Sequence, residues 1–144
     1  KIKIGGTIRT QSNKVREEVK KEIKHILENI AGTSGGDYNL DIVKGLPPLV
    51  NNEELVDSTF DILDDYLDKL KIDKLTEIKN PSMGGEDFAY YTQEVPGVFI
   101  WLGGGNKEKN LTYPMHHPQF NFDEKALTIG TKLHITIALN FLSK

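Results

Sequence analysis

The chain has 144 residues, of which 38% are hydrophobic and 27% charged, the balance of a globular protein and not of a disordered or collagen-like one. Its net charge of −3, with Lys and Arg interleaved among Asp and Glu, leaves no basic footprint for nucleic acid. The absence of cysteine excludes disulfides, thiolate metal ligands and a cysteine nucleophile, and fits a cytoplasmic setting; no run approaches the roughly 18 apolar residues of a membrane span.

Lys1 to Thr10 alternates, with Ile2, Ile4 and Ile8 on one parity and Lys1, Lys3 and Arg9 on the other, which predicts a strand with one wet face. It lacks the apolar core of a signal peptide and reads as an element begun upstream. Ser12 or Asn13 can cap a helix whose Val15, Val19, Ile23, Ile26, Leu27 and Ile30 form one stripe, ended by Gly32 to Gly36. Tyr38 to Val43 alternates again, so the first unit is predicted to be β-α-β. Lys44-Gly45-Leu46-Pro47-Pro48 can continue neither strand nor helix, and a domain crossing is placed there.

Asn52 caps a second predicted helix running through Leu55, Val56, Thr59, Phe60, Leu63, Tyr66, Leu67 and Leu70. Leu75 to Lys79 is a short strand candidate, and Pro81 to Gly85 is a loop leading into a short helix from Glu86 to about Gln93. Val98 to Leu102, an apolar run bounded by glycines, predicts a strand buried on both faces and hence an α/β sheet. Asn106 to Phe122 has turn residues and no period, and Asp123 caps a long closing helix.

Two segments could carry chemistry. In Met115-His116-His117-Pro118 adjacent side chains point to opposite sides, so one histidine at most enters a given site, and His116 is the candidate metal ligand; the competing reading is a surface loop. In Ser82-Met83-Gly84-Gly85-Glu86-Asp87-Phe88 the glycines allow close backbone approach, and the following helix start presents N–H groups suited to a substrate carboxylate; the competing reading is a plain turn. Arg9 could grip a carboxylate with two donors. His25 and His134 are read as structural, and Gly103-Gly104-Gly105-Asn106-Lys107 lacks the Ser or Thr of a phosphate loop. A catalytic zinc needs about three protein ligands, and only His116 can be defended.

The order Gly6-Thr7-Ile8-Arg9-Thr10, Ser82-Met83-Gly84-Gly85-Glu86-Asp87-Phe88-Ala89, Pro96-Gly97-Val98, Leu102-Gly103, His116 and Phe120-Asn121-Phe122-Asp123-Glu124-Lys125-Ala126-Leu127 resembles the zinc-dependent amidohydrolases of the aminoacylase and carboxypeptidase type. The branch it looks most like holds hippurate hydrolase, N-acetyldiaminopimelate deacetylase and indole-acetyl-amino-acid hydrolase. The resemblance implies the C-terminal half of a two-domain enzyme: residues 1–45 as the second half of a lid that makes a homodimer contact, and residues 46–144 as the C-terminal portion of the catalytic α/β domain. It implies an activity that cleaves the amide bond of N-acyl amino acids or small peptides, with two divalent metals (zinc, or manganese or cobalt) per parent enzyme.

Carried over by position, His116 resembles a metal ligand, Gly84, Gly85 and Glu86 the loop beside the substrate, and Arg9 the lid arginine near the substrate carboxylate. No role passes to His117. The family's Gly-His-Asp motif, its paired glutamates with the general base and its other metal-binding His are not in this chain, so no catalytic residue is assigned within it and it is expected to be inactive alone. The alternative is a non-catalytic binding or assembly module derived from the same fold.

Overall fold

The computed structural model describes residues 1–143 and divides them into two compact units, one of residues 1–50 and 78–96, the other of residues 51–77 and 97–143. The first is organised by α1 (Asn13–Ser34). Its start follows from Ser12, whose hydroxyl accepts the Val15 N–H at 3.2 Å and satisfies one of the orphan donors of the first turn. Its end follows from Gly35 at φ 64°, a left-handed conformation natural to glycine, while the Gly35 and Gly36 N–H groups both donate to the Ala31 carbonyl.

The apolar stripe of α1 is only partly covered: Val19, Ile23 and Leu27 are half-buried, Val15, Ile26 and Ile30 exposed, and no residue of the helix is fully buried. Arg16 Nη2 donates to the Leu46 carbonyl at 2.6 Å and so ties the Pro-containing segment to the helix. Also in this unit is the short α2 (Ala89–Glu94), with Ala89 fully buried at its first position.

The second unit holds α3 (Glu53–Asp64), α4 (Leu67–Leu70) and α5 (Lys125–Leu142), with α3 and α4 packed on α5. Asn52 caps α3 by accepting the Leu55 N–H at 3.0 Å, as its position predicts. The core is Leu63, Leu70 and Leu133, ringed by Tyr66, Ile72, Leu75, Ile100 and Ile137. Each leucine buried in this way contributes about 1.5–3 kcal/mol. The single helix expected over Asn52 to Leu70 is broken at Asp65 and Tyr66, where Tyr66 N–H turns back to the Leu63 carbonyl. Asp61, Asp64 and Asp65 stand at the negative end of α3's dipole, where anions oppose continuation.

The expected strands are corrected. Among the described residues no strand forms at Lys1 to Thr10, Tyr38 to Val43, Leu75 to Lys79 or Val98 to Leu102, so the β-α-β portion is not seen; an antiparallel bridge joins Asn106 and Leu111. A strand is a paired object, and an extended segment becomes one only by exchanging N–H and C=O groups with a neighbour. The predicted alternation nevertheless survives in burial, with Tyr38, Leu40 and Ile42 half-buried between exposed Asn39, Asp41 and Val43. Val98 to Leu102 is not buried on both faces, since Trp101 is 51% exposed and Leu102 40%. Its backbone is held by a side chain: Asn51 accepts the Phe99 N–H at 2.8 Å and donates to the Phe99 carbonyl at 3.0 Å, standing in for a neighbouring strand.

Candidate functional site

In the first unit the structure joins Arg9 to the Ser82–Glu86 loop. Arg9 Nη1 donates to the Met83 carbonyl at 2.8 Å, across 74 residues of sequence. The loop is held internally by Ser82, whose hydroxyl accepts the Gly84 N–H at 3.1 Å. Gly85 is closely packed: a Cβ there would lie 3.0 Å from Leu46 Cδ1 and 4.0 Å from Arg9 Nη1. Leu46 is in turn anchored by Arg16, a residue that the sequence reading passed over because an arginine on a helix face carries no motif.

Glu86 is half-buried and its carboxylate accepts the Phe88 N–H at 3.2 Å. The helix begins at Ala89, later than the Glu86 start expected, and the chain's own carboxylate takes an N–H that the sequence reading reserved for a substrate.

The second unit carries the histidine pair. The Pro114 carbonyl accepts the His117 N–H at 3.1 Å, closing a turn whose third residue, His116, has φ 68°. That slot ordinarily belongs to Gly or Asn, and another residue held in it costs about 1–3 kcal/mol. A second turn follows at once, with the His117 carbonyl accepting the Phe120 N–H at 2.9 Å and Pro118 at the position where a fixed φ favours the turn. The two imidazoles part company: His116 is exposed, while His117 is half-buried and stacked on Tyr113, with ring centroids 4.4 Å apart and planes 12° apart.

The same unit holds a polar lock. Asp123, 9% exposed, accepts from Asn106 Nδ2 at 2.6 Å, Lys109 Nζ at 2.9 Å and the Lys125 N–H at 3.2 Å. The Lys109 hydrogen bond, then those of Asn106 and Lys125, hold its carboxyl down at about 2. The closing helix starts at Lys125 with Glu124 at its N-cap position and no side-chain cap bond, so the cap expected of Asp123 gives way to a local contact of its carboxylate with the Lys125 N–H, and its partners across the Asn106–Leu111 bridge have no linear signature. His25 Nε2 meets Asn29 Nδ2 at 3.0 Å on the exposed side of α1.

Among the described residues no three His, Asp or Glu side chains converge as a metal cage. A depression of about 420 Å³ lies between Phe60, Leu67 and Leu75 and is rimmed by Asp61, Asp64 and Asp73; none of the candidate residues lines it. No helix of the described residues is long and apolar enough to cross a membrane.

Comparison with known proteins decides the family, since the model of peptidase family M20/M25/M40 matches residues 2–140. The chain belongs to that family. Similar to this M20 chain are thermostable carboxypeptidase 2 of Saccharolobus solfataricus, 32% identical over 96% of the chain and 34% of the relative, and IAA-amino acid hydrolase ILR1-like 4 of Arabidopsis thaliana, 31% identical over 98% of the chain and 32% of the relative. N-acetylcysteine deacetylase of Bacillus subtilis is 29% identical over 93% of the chain and 32% of the relative. The M20 chain thus spans about a third of the length of the curated relatives it matches. No solved structure matches it significantly.

Proposed function

We propose that this chain is the C-terminal part of a metal-dependent hydrolase that cleaves the amide bond of N-acyl amino acids or small peptides. Family membership supports the reaction class, and the observation that carries the local reading is the hydrogen bond from Arg9 Nη1 to the Met83 carbonyl. That bond orients the guanidinium on the Ser82–Glu86 loop and leaves its other N–H donors to grip a substrate carboxylate. Gly84 and Gly85 let the loop backbone approach the same group. Glu86, engaged with the Phe88 N–H, shapes the loop and is not a general base.

His116 contributes one imidazole ligand. Two divalent ions in the complete enzyme, zinc or else manganese or cobalt, would polarise the scissile carbonyl. In this reading residues 1–45 belong to a lid that pairs two subunits and residues 46–144 to the catalytic domain. The extended segments at 1–10, 38–43 and 98–102 find their strand partners in the rest of the enzyme.

The test is the mass and metal content of the native polypeptide that carries this chain. A protein about three times this length, holding zinc or a related ion, releasing amino acids from N-acyl substrates and losing metal on His116→Ala, is the expected result. A native protein of 144 residues without metal would favour the non-catalytic assembly module instead.

A further inference from the structure

His116 and His117 are adjacent in sequence, yet the fold treats them oppositely. His116 sits exposed at a left-handed backbone position, and His117 is held on three sides. Its ring stacks on Tyr113 at 4.4 Å, its N–H closes the preceding turn on Pro114, and its carbonyl closes the following one on Phe120. The ring is also pinned in its plane, because Nδ1 accepts the Gln119 N–H at 3.1 Å, which places the ring proton of the neutral form on Nε2.

These contacts make His117 the shared corner of two back-to-back turns. Without the corner, the chain around His116 has cheaper conformations in the ordinary negative-φ regions, and the exposed imidazole would sample several directions. With it, the left-handed residue is over-determined by neighbours on both sides, and its side chain is presented along one direction.

We propose that His117 is the positioning residue for the His116 ligand, acting through the Gln119 N–H bond and never touching the metal itself. This rests on the reading of His116 as a metal ligand given above. A ligand that must be collected from several rotamers and backbone states binds more weakly than one already aimed, and loss of such supporting contacts typically lowers metal affinity by about 10–100-fold.

The experiment uses the native polypeptide carrying this chain, stripped by chelator and titrated with Co2+, whose visible absorption reports both affinity and ligand geometry. His117→Phe keeps a ring for Tyr113 but removes the acceptor, and is expected to bind Co2+ about tenfold more weakly. Its kcat should fall with KM little changed, and the Gln119 amide should exchange faster with deuterated solvent. His117→Asn, whose side-chain oxygen can accept the Gln119 N–H, is expected to recover most of the affinity and the wild-type spectrum.

If His117→Phe binds Co2+ as tightly as wild type while His116→Ala loses it, the positioning role is overturned and the ligand reading stands. Equal weakening by His117→Asn and His117→Phe would overturn the role of the acceptor. Wild-type Co2+ binding by His116→Ala would overturn the ligand assignment itself, and the positioning role with it.

Discussion

Lys109 Nζ lies 2.9 Å from the carboxylate of Asp123, and together with Asn106 it fastens the loop after Gly105 to the start of α5. The Asp123 N–H completes the connection by donating to the Gly104 carbonyl at 2.8 Å. Because the folded carboxyl titrates at about 2 against an ordinary 3.8, the ionised form binds its partners better than the protonated form does.

The acid limb of stability follows from that difference. A depressed carboxyl stabilises the fold fully above its unfolded value of 3.8, and the contribution fades as pH falls through about 2. Urea unfolding between those pH values should therefore show a loss of stability that Asp123→Asn flattens. Lys109 is 52% exposed, so added salt should shrink the effect.

Arg9→Lys keeps the charge but loses the forked geometry. The Arg9–Met83 bond is charge-assisted but exposed, so water screens it and its own contribution to stability is small. In an assay of N-acyl amino acid cleavage by the native polypeptide, KM should rise by about tenfold or more with kcat less affected. An unchanged KM would remove Arg9 from the pocket.

Gly85→Val places a Cβ 3.0 Å from Leu46 Cδ1, where either the leucine or the loop must give. Overpacking of this kind costs about 1–3 kcal/mol. A fall in the urea midpoint is expected, with partial recovery on adding Leu46→Ala; additive effects in that double variant would show that the two residues do not press on one another.

Leu133→Ala removes the α5 member of the core that Leu63 and Leu70 share. The expected cost is about 2–5 kcal/mol, read from chemical denaturation, because the large groups around it cannot close the gap completely. Ser12→Ala should cost about 1 kcal/mol and fray the first turn of α1, visible as faster amide exchange at Val15.

Local chemistry was legible in the sequence. Ser12 and Asn52 take the capping hydrogen bonds that their positions predict, since a cap needs only a short oxygen-bearing side chain and an N–H two or three residues on, whereas α5 starts one residue beyond the expected cap Asp123. The motifs around Arg9, Gly84 to Glu86 and His116 were likewise enough to indicate the family that the M20 match establishes.

Tertiary structure alone decided whatever needed a partner distant along the chain. The alternation at Tyr38 to Val43 set which side chains turn inward but could not supply a neighbouring strand, and the apolar run at Val98 to Leu102 was paired by Asn51 and not by a sheet. The Arg9 contact with Met83 arises from how segments meet in space. A residue's type sets what it can bind, whereas the packing of the chain sets what it finds.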